Sequence, residues 1–167
     1  MVDTIKMRKL LPVLILITNV AYAEPQALPT EMGGIKLGQK CNPKDGDENT
    51  SLRDFTTVKL GVYEVHCSKT LSKVFRIKNL DISESPNTII RTLIDRYGNK
   101  ERVSSDKTTD YYLWKSGGRS LVLWIDRKPE GSVSISLTDL IISDESVARM
   151  LNQERLYLRN NVLQDLK

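Results

Sequence analysis

Two short stretches set the strongest limit on how this chain folds, because their side chains alternate. In VYEVHCS, Tyr63, Val65 and Cys67 alternate with Glu64, His66 and Ser68, and in KVFRIKNL, Phe75 and Ile77 alternate with Val74, Arg76 and Lys78. A period of two in β-branched and aromatic residues marks strands with one buried face, so these stretches read as a β-hairpin. Successive strand side chains point to opposite faces. Cys67 is therefore expected to face the core with Tyr63 and Val65, and His66 to point outward beside Glu64. Lys73, Arg76 and Lys78 are expected to form a solvated face. His66 is the only histidine in the chain. If it diverges from Cys67, it cannot serve that sulfur as a base.

The N-terminus supplies the context for the cysteines. Lys6, Arg8 and Lys9 precede an apolar run, LLPVLILITNV, and Ala21-Tyr22-Ala23 closes it. A basic start, a short apolar core and small residues spaced as in A-x-A are the pattern of a secretory signal peptide. The expectation is cleavage after Ala23 and a periplasmic product. An apolar run of 11 residues falls short of the roughly 20 needed to span a bilayer, and no later run is more apolar. In an exported chain, an even pair of cysteines reads as one disulfide, Cys41–Cys67. Residues 1–23 carry three basic side chains and Asp3, so their removal takes the formal charge from +4 to +2. That imbalance gives no reason to expect a nucleic-acid partner.

The remaining elements define an α+β domain. Residues 24–32 contain two prolines and no periodicity, and read as a flexible lead-in to a single domain over 33–167. GGIKLGQ is a short apolar piece between glycines, and 41–51 reads as a polar surface loop. Ser85 and Pro86 are suited to the N-cap and first position of a helix. Ile89, Ile90, Leu93, Ile94 and Tyr97 form its apolar stripe, and Gly98 ends it. A second hairpin turns at 116–120, with 121–125 apolar on both faces as in a central or covered strand. In SVSISL, Val133, Ile135 and Leu137 are expected inside and the alternating serines in water. A last helix is expected from about Asp144, capped by Ser143. Val147, Met150, Leu151, Leu158 and Val162 form its core stripe, with Leu156, Tyr157 and Leu163 off it. The expected architecture is an antiparallel sheet of about five strands with two helices on one face.

Few residues here support catalysis. A nucleophilic site needs a base aimed at the nucleophile, and the chain has no Gly-x-Ser-x-Gly elbow. One histidine and two distant cysteines make a poor zinc set. Asp45, Asp47 and Asn49 imitate the start of a calcium loop, but Thr50 and Thr56 stand where glycine and glutamate are required. Asp106 and Asp110 are two acids among many, and SGGRS turns between strands without opening a helix. No metal, no cofactor and no enzymatic activity are expected.

Surface aromatics are the remaining signal. Tyr112, Trp114 and Trp124 are placed on neighbouring strands, sharing a face opposite the main core that is either covered by the C-terminal helix or left open as a binding patch, with Arg119 and Arg127 close by in sequence. Trp, Tyr and Arg dominate binding hot spots, so these five form the expected binding set. Gly34–Gly38, the helix positions Leu93, Tyr97 and Gly98, and the strand 112–114 together resemble small periplasmic helix-on-sheet modules. The resemblance is to the β-lactamase-inhibitor-like class and to envelope and immunity proteins. It implies binding to another protein rather than catalysis, as an inhibitor or immunity-type protein. The alternatives are a small-ligand carrier, a structural envelope protein, or an enzyme using two carboxylates on cell-wall polysaccharide.

Overall fold

A computed structural model describes residues 24–42, 44, 46, 48–105, 108–127 and 132–164. The expected signal peptide lies outside them. Ten strands and two helices follow in the order β1 (Glu31–Met32), β2 (Ile35–Lys36), β3 (Glu48–Ser51), β4 (Phe55–Leu60), β5 (Tyr63–Ser68), β6 (Val74–Asn79), α1 (Pro86–Tyr97), β7 (Glu101–Ser105), β8 (Thr109–Ser116), β9 (Arg119–Asp126), β10 (Val133–Asp139) and α2 (Glu145–Gln164). β1 and β2 pair alone; the other eight form one antiparallel sheet in the order β3-β4-β5-β6-β10-β9-β8-β7. The α+β class is as expected, but the sheet is larger than five strands. Two four-stranded meanders, β3–β6 and β7–β10, meet at one seam, where Ile135–Thr138 pair with Asn79–Arg76.

One face of this sheet is the core. Leu121, Leu123, Val133, Leu137 and Trp114 lie under Ile89 and Leu93 of α1, while Val58, Val65, Cys67, Val74 and Ile77 form a second cluster. α1 has the anticipated caps: Ser85 Oγ accepts from the Thr88 amide, and Gly98, at φ 79°, donates its amide to the Ile94 carbonyl. Residues 24–41 also lie on this face. Leu28 is 2% exposed and packs with α1, and the Gln26 amide donates to the Arg96 carbonyl. Met32 and Leu37 touch both clusters. Within the segment expected as a flexible lead-in, Leu28 and the Gln26 amide are the points that meet α1.

The opposite face is mixed, and α2 crosses it to reach β7. The helices therefore sit on opposite faces rather than together. All six buried polar side chains among the described residues are on this second face: His66, Ser68, Ser120, Ser136, Thr138 and Asp144. The serine face expected to be wet is buried at Ser136, because α2 lies over it. The cap of α2 is Asp144, not Ser143. Its Oδ1 accepts from the amides of Ser146 and Val147, and Ser68 Oγ donates to its Oδ2. Val147 is fully buried, Met150 and Leu151 half-buried, and Leu156 is exposed. Leu158 and Val162, and the off-stripe Tyr157 and Leu163, fall outside the described side chains.

Candidate functional site

The expected aromatic set is divided by the sheet. The β8–β9 turn has two residues, Gly117 and Gly118, both at positive φ. A two-residue turn fixes the register, so Trp114 pairs with Leu121, Tyr112 with Leu123, and Trp124 with Tyr111. Tyr112 and Trp114 consequently share the core face, while Trp124 is on the other. Trp114 is 3% exposed and its indole N–H donates to the Gly98 carbonyl at 3.0 Å. Tyr112 is half-buried, with the Lys100 ammonium 4.2 Å from its ring centre. Trp124 stands edge-on to Tyr111, centroids 4.5 Å apart. Arg127 forks onto Asp110, with Nε 2.9 Å from Oδ2, at the opposite end of the sheet from Arg119. The five residues do not form one patch. The turn length, visible in the sequence, carried the register that separates them.

His66 diverges from Cys67 as expected, but it is buried rather than solvated. A bulge between β5 and β6 lets His66 pair with Arg76 and Cys67 with Val74. It leaves Phe75 beside Arg76 on the His66 face, correcting the simple alternation expected for β6. The His66 ring stacks on Phe55 (4.8 Å, 14°) and meets Phe75 edge-on at 6.0 Å. Its Nε2 lies 2.7 Å from Glu64 Oε1, and Nδ1 has no hydrogen-bond partner among the described residues. Burial lowers the imidazole pKa below its usual range, against the hydrogen bond to Glu64, which raises it. The same bond, opposed by burial and aided by Lys78, brings Glu64 down to about 2. The geometry holds a neutral imidazole that donates to the Glu64 carboxylate and packs between two aromatic rings.

Arg76 continues the polar strip. Its Nε donates to Thr138 Oγ1 at 3.1 Å, and its guanidinium pairs with Glu154 of α2. Lys78 Nζ is 3.4 Å from Glu64. Of the expected solvated cations, only Lys73 is fully exposed. The Cys41–Cys67 disulfide is formed, with Cα atoms 6.0 Å apart. A shallow cavity of about 150 Å³ opens over it, lined by Cys41, Thr56, Cys67, Ser68, Lys69 and Ser72. Among the described residues no three His, Cys, Asp or Glu side chains gather where they could hold a metal. No described helix is long and apolar enough to cross a membrane.

The sequence reading missed a row of exposed apolar side chains at one end of the sheet. β3, β5, β8 and β10 finish at this end, and β4, β6 and β9 begin there. The connecting segments carry Leu52, Leu71, Leu140 and Ile141, between 37% and 71% exposed. Leu140 is fixed beside the glycine turn by its amide, which donates to the Gly118 carbonyl. The Ile141 amide donates to Asp139 Oδ1. Isolated exposed leucines are ordinary; the signal is that three loops at one end carry four such side chains. Comparison of the chain with family models, curated proteins and solved structures finds no match.

Proposed function

We propose that this chain is an exported binding module that acts by contact with another protein, in the manner of an inhibitor or immunity-type protein. The observation that carries this reading is the apolar rim of Leu52, Leu71, Leu140 and Ile141, the last 71% exposed. Apolar side chains on loops whose backbones are tied down lose little freedom on binding, which favours them as contact points. The disulfide supports export, since such bonds persist in oxidising compartments. Arg119, at the same end, is the one member of the expected binding set that borders the rim; Trp114 acts as a core residue instead.

The test is capture from envelope and secreted fractions with immobilised residues 24–167, repeated with Leu71→Asp and Ile141→Asp. A stoichiometric protein retained by the natural sequence and lost with either aspartate supports the reading. Retention of the same protein by both variants removes the rim from it, and retention of a glycan or small molecule alone removes the protein-binding reading altogether.

A further inference from the structure

The disulfide is not sealed in the core. Both of its residues line the shallow cavity, together with Thr56, Ser68, Lys69 and Ser72. Cys41 is 9% exposed against 2% for Cys67, so Cys41 is the half nearer to solvent. Lysines surround the opening. Lys69 is part of the lining, and Lys40 and Lys73, both exposed, face each other across an isolated β-bridge next to Cys41. The Asp144 carboxylate, which meets Ser68, is already engaged by that hydroxyl and by two α2 amides. Backbone hydrogen bonds hold Cys41 in place independently of the sulfur bond. Its amide donates to the Ser72 carbonyl at 2.8 Å, the Val74 amide to the Gln39 carbonyl at 3.0 Å, and the Gly38 amide to the Val74 carbonyl at 2.7 Å.

We propose that Cys41–Cys67 is a thiol–disulfide exchange site of the folded protein, open through this cavity to small anionic thiols. Exchange needs a thiolate with access to a sulfur, and clustered cations raise the local concentration of an anionic reagent. The incoming thiolate bonds Cys41 Sγ. The Cys41–Cys67 bond breaks, and its electron pair leaves on Cys67 Sγ, which takes a proton from solvent. A second thiolate attacks the external sulfur, forms an external disulfide and releases Cys41 Sγ, which is protonated in turn. Two external thiols are oxidised, and the protein disulfide is reduced to two thiols. In the absence of denaturant the backbone hydrogen bonds keep Cys41 opposite Ser72, so the same pair recloses under oxidising conditions. The exchange uses no apolar side chain of the rim and stands apart from the protein-binding reading.

The test incubates residues 24–167 without denaturant, at low ionic strength, with 2-mercaptoethanesulfonate or with cysteamine at equal thiolate concentration. Alkylation followed by mass measurement counts the thiols released, and circular dichroism reports the fold. Both cysteines should be released while the native spectrum persists, at a rate unchanged by urea well below the unfolding midpoint. The sulfonate should react about tenfold faster than the amine, and Lys69→Glu should slow the sulfonate several-fold with the spectrum unaltered. A disulfide that resists both reagents until the chain unfolds would overturn the proposal. So would a reduction rate that climbs with urea in step with unfolding, since the route would then be global opening rather than the cavity. Equal rates for the two reagents, unmoved by Lys69→Glu, would overturn the assignment to anionic thiols.

Discussion

At the position of His66, a side chain on the outward parity of a strand is enclosed because Phe55 and Phe75 close on it. An imidazole held neutral by burial makes folding sensitive to acid. Its folded pKa lies below its ordinary value of 6.5, so the unfolded chain takes up the proton first. The stability His66 contributes is complete above pH 6.5 and is lost as pH falls through the folded pKa. Glu64 and Asp144 act with the same sign further down. Both sit at about 2, against ordinary values of 4.5 and 3.8, so their contributions fade below about pH 4.5. For Asp144, burial pushes the pKa up, and the hydrogen bonds from Ser68, Ser146 and Val147 outweigh it. Denaturant midpoints should therefore fall between pH 7.5 and 5, and His66→Phe should remove that part of the fall. A flat wild-type profile over this range would show that the imidazole is not held neutral. Trp114 gives a second prediction. Trp114→Ala should destabilise by about 3–5 kcal/mol, as for other buried large-to-small changes, whereas a surface contact would cost little. Chemical denaturation of the variant measures the difference.

Elements whose burial pattern is local could be read from the sequence, and those defined by their neighbours could not. β5, β10 and α1 each carry their own periodicity and, for α1, both caps. β3 (Glu48–Ser51) and β7 (Glu101–Ser105) are the two edges of the sheet, and edge strands need no alternating apolar residues to pair. β4 has Thr56 and Thr57 in its middle, which dilutes its pattern until β5 and β3 are placed beside it. The second helix was visible, but the face it covers was not, because polar residues such as Ser136 and Thr138 carry no sign of being buried. Asp144 was one residue from the expected cap. Its carboxylate collects two α2 amides and the Ser68 hydroxyl, more than a serine could. Losing an N-cap costs about 1 kcal/mol. A buried hydroxyl left without its partner adds a cost, so Asp144→Ala should destabilise by roughly 2–3 kcal/mol. Asp144→Asn, which keeps the cap acceptor, should cost less. β1–β2 offers a comparable test at its turn. Gly33 has φ 58°, and an added Cβ would collide with the Tyr63 ring, so Gly33→Ala should destabilise by at least about 1 kcal/mol.

Across the molecule, two four-stranded meanders share a seam of four residue pairs, a short junction for so large a sheet. What joins them beyond that seam is laid over the core face. α1 links β6 to β7 along the chain and packs on the β8–β10 strands. Residues 24–41 start under α1 at Leu28 and end at Cys41, bonded to Cys67 of β5. Along the way Met32 and Leu37 touch both apolar clusters. The disulfide thus fastens an arm that ties one meander to the other. The two halves should unfold as one unit while that arm is in place. Both tryptophans belong to β8 and β9, so fluorescence reports one meander and far-UV circular dichroism reports both. In the oxidised protein the two signals should follow a single denaturant transition. Reduction opens a loop of 26 residues' separation, for which the chain-entropy relation gives a loss of about 3.5 kcal/mol. With the arm no longer fastened at β5, the two signals should separate. The circular dichroism should begin to fall first as β3–β6 opens, while Trp114 remains packed with α1 and Leu28 and Trp124 stays against Tyr111. Coincident signals after reduction would instead mean that the seam and α1 suffice to couple the halves, and that the disulfide stabilises the fold without determining its cooperativity.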